Sequence, residues 1–299
     1  MRLIQPILTD KFECLASKCP ANCCQGWNVV WREKEINRLR SCGNKELCAK
    51  IPESFSGEED YQHIVMDENG KCPFLTEKGL CEIHKTVGES YLSYTCREYP
   101  KIARVCGDII LRSCKTSCFA VMEMLCRSKS CMKTEECLAH ELHAVVSPEQ
   151  DGARRARLFL IIKDMFSSAD MIAAFEQVVV ALEGTIKHGT AERFNTIFSI
   201  ELIRGRRGGF TKKFGQYALN NIIKAAFWEW MITGWDSDLT ISQNLSCFLF
   251  FAKAIRIAAD GAVANAKHED EIFCTMSDII SVMLSEKNTT ARVWRNLSL

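Results

Sequence analysis

Hydrophobic positions along the chain follow two rhythms. Up to about residue 118 they come in short runs, broken by turn residues and cysteines. Residues 1–26 read as irregular. Val30, Ile36 and Leu39, set among charges, predict a surface helix within residues 29–50. Residues 52–71 are polar, hold Pro52, Gly57 and Gly70, and read as loop or short strands. Lys78-Gly79 marks a turn between the apolar pieces Phe74-Leu75 and Leu80. Residues 90–100 predict a helix that stops before Pro100. The run Ile109-Ile110-Leu111 after Gly107-Asp108 predicts a hairpin strand.

Beyond residue 118 helical spacing takes over. Ser147-Pro148-Glu149-Gln150 is a helix start, with Ser as N-cap, Pro at the first helical position and Gln at the third. Apolar-periodic segments follow: "RLFLIIKDMF", "MIAAFEQVVVALEGTI" closing near Gly184, "RFNTIFSIELIRG" ending at Gly205, and "YALNNIIKAAFWEWMITG" ending at Gly234. "SQNLSCFLFFAKAIRIAADG" stops at Gly261, and "DEIFCTMSDIISVMLSE" comes last. Glycine after a periodic run is the usual helix stop. The expected fold is mainly α. An irregular, cysteine-rich, metal-binding half with short strands, residues 1–140, precedes an α-helical half, residues 141–299.

Net charge is +1, so bulk charge predicts neither a nucleic-acid nor a membrane partner. No run of 18 apolar residues occurs, and the first residues lack the apolar stretch and cleavage site of a secretory signal. A cytoplasmic protein is expected.

Seventeen cysteines change the picture, because fifteen of them lie at or before Cys137. Disulfides need an oxidising compartment, and the number is odd. In a reducing cytosol, clustered thiols point to metal ligation, since thiolates hold zinc and iron–sulfur clusters tightly. Cys14, Cys19, Cys23 and Cys24 open the series with spacings x4, x3 and zero. Adjacent cysteines cannot easily bind one ion in relaxed geometry, because their side chains diverge, whereas a cubane offers separate iron corners. Cys19 and Cys23 fit a zinc pair. Cys72, Cys81 and Cys96 follow, then Cys106, Cys114 and Cys118, and the Lys78-Gly79 turn could bring Cys72 and Cys81 to one site. His84, three residues after Cys81, is a further candidate ligand.

Four stretches, "FECLASKCPANCCQGW", "CPFLTEKGLCEIH", "GESYLSYTCREYP" and "LRSC", resemble in order and wording the bacterial flagellin lysine N-methylase family. They also look like the wider group of cysteine-dense zinc- or iron-chelating proteins. The resemblance covers about residues 12–118. It implies methyl transfer from S-adenosylmethionine to lysine side chains of flagellin, with an iron–sulfur cluster, a 4Fe-4S cluster in the first instance, on the protein. It also implies that Cys14, Cys19, Cys23, Cys24, Cys72, Cys81, Cys96 and Cys114 match the family's cysteine pattern. Eight thiols exceed one tetrahedral set, so zinc can stand instead of the cluster or beside it. Cys42, Cys48, Cys106, Cys118, Cys126, Cys131 and Cys137 fall outside the pattern and read as small buried hydrophobes or idle thiols.

Two departures accompany the resemblance. The family's Tyr-Pro-Arg is Tyr99-Pro100-Lys101 here, and Lys lacks the bidentate fork of Arg. The chain is also expected to end short of the family's C-terminus. A radical mechanism would need Cys-x3-Cys-x2-Cys; Cys19-x3-Cys23 supplies the first gap, but position 26 is Gly26. Lysine nitrogen is nucleophilic once deprotonated, so a structural or sensing cluster suffices.

Polar methyl transfer needs alignment, a neutral amine, and aromatic or acidic groups around the sulfonium. Tyr91, Tyr94 and Tyr99, beside Glu89 and Arg97, form the densest polar-aromatic stretch and are the catalytic candidates. Packing around the metal site is their competing role. "LIRGRRGGF", residues 202–210, is a weak phosphate-loop candidate because it follows a helical pattern. "FWEWM", residues 227–231, reads as core. Strand–helix alternation of the Rossmann type is lacking. A non-enzymatic zinc- or iron-binding adaptor is the alternative, distinguished by failure to bind S-adenosylmethionine.

Overall fold

The computed structural model describes residues 1–21, 23–26, 29–58, 60–139, 145–146, 149–183, 208–235 and 237–285. Helices dominate these residues and two small sheets accompany them. The predicted helix over 193–205 and the Gly184 stop lie outside the described residues. So do Ser147-Pro148 and residues 202–207 of the glycine–arginine stretch. The chain divides into two compact units, Met1–Phe12 with Pro100–Leu299, and Glu13–Tyr99.

The larger unit begins with β1 (Arg2–Pro6) and α1 (Ile7–Lys11), so the first residues are not irregular. The smaller unit follows. It contains β2 (Val30–Arg32), α2 (Glu33–Arg40), α3 (Lys45–Ser54), β3 (Phe55–Gly57) and β4 (Tyr61–Ile64). Two short helices close it, α4 (Glu82–Val87) and α5 (Tyr94–Glu98). The strands form an antiparallel sheet in the order β2-β4-β3.

The single surface helix expected over 29–50 is a strand and two helices. Val30 and Trp31 favour the pleat, and Trp31 is buried against Phe55, with ring centroids 5.1 Å apart. Gly43, at φ +77°, turns the chain after α2. Asn44 then caps α3, its side-chain oxygen accepting from the Leu47 N–H at 2.9 Å. Ile36, Leu39, Leu47, Ile51, Ile64, Phe74, Ile83 and Leu92 complete one apolar core around Trp31.

In the larger unit β5 (Lys101–Cys106) and β6 (Ile109–Cys114) form the expected hairpin, in register from Lys101↔Cys114 to Cys106↔Ile109. Gly107, at φ +61°, takes the first central position of the two-residue turn, the type II′ pattern. After α6 (Phe119–Arg127), strands β7 (Thr134–Leu138) and β8 (Val145–Val146) interrupt the helical texture expected beyond residue 118. The sheet runs β7-β1-β6-β5-β8, with β1 parallel to β6 and antiparallel to β7. Because β1 pairs with both, residues 100–138 fold into the helical unit. The division between units therefore falls away from the compositional break near residue 140.

The remaining helices are α7 (Glu149–Lys163), α8 (Met171–Glu183), α9 (Gly209–Phe214), α10 (Gln216–Glu229), α11 (Ile241–Asn265) and α12 (Glu269–Ser285). Their core is aromatic. Phe159 lies 4.5 Å from Trp228, Phe175 5.0 Å from Phe248, and Phe227 5.1 Å from Phe248, centroid to centroid. Trp228, Trp230 and Met231 are fully buried, as the core reading of "FWEWM" expects. A π-helical turn, Trp230–Gly234, ends α10. Its carbonyls are taken by arginines: Arg155 donates to Met231 O at 2.6 Å, and Arg104 donates to Ile232 O. Gly261 does not stop α11, which runs on to Asn265. Gly208 and Phe210 donate their N–H groups to the Asp260 carboxyl at 3.1 and 3.0 Å, so the candidate phosphate loop ends in an internal cap. Among the described residues no helix is long and apolar enough to cross a membrane.

Glu229 is buried within α10 and accepts from the Thr116 N–H at 2.8 Å and its hydroxyl at 2.7 Å. Burial holds its carboxyl above the ordinary value of 4.5, against the opposing pull of Thr116 and Lys115. The folded state therefore keeps a proton that the unfolded chain has already lost. This contribution to stability is fully present below pH 4.5 and disappears as pH rises through the raised folded value. Chemical denaturation across that range should show stability falling with pH in the wild type and a flatter profile in Glu229→Gln. Thr116→Val should cost about 1–3 kcal/mol, by leaving part of the buried carboxyl without a donor.

Candidate metal centre

The smaller unit gathers cysteines from four separate segments, and main-chain hydrogen bonds do the gathering. Gln25 and Lys71 form an antiparallel bridge, with Gly26 N–H donating to Gly70 O and Cys72 N–H to Cys24 O, each at 2.9 Å. Cys23 and Cys24 are thereby laid beside Cys72. Asp67 shapes the approach, its carboxyl oxygen accepting from Asn69 and Lys71 N–H at 2.9 and 2.8 Å.

The Lys78-Gly79 turn then works as expected. Thr76 N–H donates to Leu80 O and Gly79 N–H to Thr76 O, both at 2.9 Å. Leu75 and Cys81 form a second bridge, returning Cys81 toward Cys72 and starting α4. Cys96 arrives on α5. Ser93 caps that helix, its hydroxyl oxygen accepting from the Cys96 N–H at 3.1 Å.

The segment before Cys96 is clamped by α2. Glu35 is buried and accepts from Tyr94 N–H through one carboxyl oxygen and from Arg32 N–H through the other, each at 2.8 Å. Arg38 donates to Leu92 O at 2.9 Å. Cys72, Cys81 and Cys96 pack against the edge of the apolar core, as does Tyr91. Lys50 and Glu82 form an ion pair that ties α3 to α4.

Five thiols, Cys23, Cys24, Cys72, Cys81 and Cys96, act on one another electrically. Burial pushes Cys72 up to about 11, with Cys81 and Cys23 adding to it and the Phe74 N–H opposing it. Burial likewise pushes Cys96 up to about 12, with Cys81, Cys72 and Cys23 adding and Ser93 opposing. Cys81 is raised by burial, against the N–H groups of His84 and Ile83. A hydrogen bond from the Cys24 thiol to the Cys23 sulfur lowers Cys23 to about 7 and raises Cys24. Thiolates gathered in this way repel one another, and the charge of a bound cation offsets that repulsion and so favours their deprotonated form.

The donor set is sulfur throughout, which suits zinc or an iron–sulfur cluster. Five thiols exceed the four of a structural zinc site. N–H groups aimed at Cys72 and Cys81 are the kind of hydrogen bond that tunes metal-bound thiolates. Among the described residues no three cysteine, histidine or acidic side chains close around a single point as ligands of one ion. The thiols are neighbours rather than a formed coordination shell.

Of the remaining expected ligands, Cys14 and Cys19 belong to the smaller unit and Cys114 to the larger. Cys14 is exposed, its sulfur accepting from Ala16 N–H at 3.4 Å. Cys19 donates its thiol to Ala21 O at 2.8 Å, just after the 3-10 turn Ala16–Lys18, whose first residue takes φ +50°. Neither is among the leading charges acting on the five. Cys114 lies in the larger unit at the end of β6. It is buried and pushed up to about 12 by burial and then by Cys118. His84 is exposed, and its backbone N–H is what it offers Cys81.

Tyr91 packs on the core, the Tyr94 ring carries the Arg97 guanidinium 6.0 Å from its centroid, Tyr99 closes α5, and Glu89 is exposed on a 3-10 turn. Their placement favours buttressing of Cys96 over contact with a methyl donor, because Tyr94's face already holds a cation. Sequence reasoning missed Glu35 and Arg38. Glu35 stands three residues after the N-cap Arg32, a legible capping position, but nothing local reveals its reach to Tyr94.

Lysine-N-methylases of Salmonella typhimurium and Salmonella choleraesuis are each 24% identical to this chain over 144 residues, 44% of this chain and 34% of theirs. Flagellar biosynthetic protein FliU of Salmonella muenchen is 23% identical over 151 residues, 48% of this chain and 87% of that protein. The chain thus matches about a third of the length of the lysine-N-methylases. No family model matches the chain, and no solved structure matches it.

Glu35→Ala should leave two part-buried N–H groups without their acceptor, at about 1–3 kcal/mol in all. Denaturation of the metal-free protein should show the loss, and amide exchange at Tyr94 should accelerate. Glu35→Gln keeps one acceptor oxygen and should lose less.

Proposed function

We propose that this distant relative of the lysine-N-methylases is a cytoplasmic S-adenosylmethionine-dependent methyltransferase that acts on lysine side chains of flagellin. We assign an iron–sulfur cluster to four thiols drawn from Cys23, Cys24, Cys72, Cys81 and Cys96, since a cubane takes four cysteine ligands. The observation that carries this reading is the convergence of five thiols from four segments, in a chain whose relatives bear methylase and flagellar names.

The cluster, when bound, supplies positive charge that holds the thiolates together and fixes the four segments that bear them. The chain's own part in the chemistry is to orient the acceptor lysine and deliver its amine neutral, since free lysine titrates near pH 10.4. Glu35, Arg38 and Ser93 act as positioning residues for the cysteines. Cys14, Cys19 and Cys114 are assigned outside the ligand set, and Tyr91, Tyr94 and Tyr99 to packing around Cys96.

A zinc-binding adaptor is the second reading. The exposure of Glu89 and the Arg97 guanidinium over the Tyr94 ring favour it.

The test is anaerobic purification with iron, sulfide and zinc analysis, followed by calorimetric titration with S-adenosylmethionine and mass spectrometry of flagellin lysines. About four irons per chain, as one cubane holds, cofactor binding and methylated lysine are the expected results. Cys96→Ser and Cys72→Ser should lose the metal, while Cys14→Ser and Cys114→Ser should retain it. A colourless zinc protein without cofactor binding would contradict the enzyme reading.

A further inference from the structure

We propose that Cys42 and Cys48 form a dithiol that closes to an intramolecular disulfide when the protein meets a low-molecular-weight disulfide such as glutathione disulfide. Neither residue belongs to the metal-centre group. The two sulfurs lie 3.9 Å apart, across the turn between α2 and α3. Both residues are half-buried and so within reach of a small reagent.

The sulfurs otherwise touch main-chain carbonyls. Cys48 lies 3.2 Å from Arg40 O and 3.9 Å from Leu39 O, and Cys42 lies 4.0 Å from Asn44 O. The intervening turn has room to adjust, for Gly43 sits at φ +77° with nothing within 4 Å of where a side chain would begin. Closing the pair takes the sulfurs from 3.9 Å to about 2.05 Å, by rotation about the Cα–Cβ bonds together with adjustment of this turn.

The exchange balances without a further reagent. One cysteine thiolate attacks a sulfur of the small disulfide, its S–S bond breaks, and one small thiol leaves carrying a proton. The second cysteine attacks the protein sulfur of the mixed disulfide and displaces the second small thiol. The protein dithiol is oxidised by two electrons, and one small disulfide is reduced to two thiols. The product staples the end of α2 to the first turns of α3. Since α2 also carries Glu35 and Arg38, the staple braces the clamp on the Cys96 segment.

The protein of residues 1–299, as isolated anaerobically, is incubated with glutathione disulfide, alkylated and mapped without reduction. A peptide pair joined through Cys42 and Cys48 is the expected dominant disulfide, with loss of both thiols from alkylation. Both cysteines alkylated, glutathione retained on either, or a different pairing in its place would overturn the proposal. The Cys42→Ser/Cys48→Ser double variant should keep the wild-type metal content. Loss of metal there would assign the pair to the metal centre and overturn it equally.

Discussion

Several thiols cannot ionise side by side at the edge of an apolar core unless something positive joins them. That constraint organises the smaller unit. Cys72, Cys81 and Cys96 are pushed up by burial, with neighbouring thiols adding to it, while a hydrogen bond between Cys24 and Cys23 raises the first and lowers the second. The backbone nevertheless holds the five together with directed hydrogen bonds: the Gln25–Lys71 bridge, the Leu75–Cys81 bridge and the Ser93 cap. This crowding, unfavourable for free thiolates, is the observation on which the proposed thiophilic metal site rests.

The surroundings reinforce this. The core of the unit is one cluster around Trp31, and three of the five cysteines pack on its edge. A unit this small buries a modest fraction of its surface. Metal binding would thus contribute to folding as well as to function. Glu35 couples the two, since a single buried carboxyl joins the start of α2 to the start of the helix that carries Cys96.

Much of this was legible locally and little of it globally. The β5–β6 hairpin follows from Gly107-Asp108 and the isoleucine run, and the Cys72–Cys81 approach follows from Lys78-Gly79. Both depend on neighbouring residues. β1 was not legible, because its partners β6 and β7 lie far along the chain and its own five residues carry no clear period. For the same reason the unit boundary did not follow composition. The pairing of residues 24–26 with 70–72 rests on main-chain bonds that leave no side-chain pattern. Cys114 matched the family's wording but sits at a strand end in the larger unit. Spacing grouped the thiols as candidate ligands, and only the fold sorted which of their segments are joined.

The central claim is that Cys23, Cys24, Cys72, Cys81 and Cys96 supply an all-sulfur metal site. X-ray absorption at the edge of the metal bound to the anaerobically isolated protein tests it most directly. The account predicts a first shell of sulfur alone, at about 2.3 Å for zinc or an iron–sulfur cluster. A shell containing nitrogen or oxygen donors, or a protein that retains no metal, would contradict it.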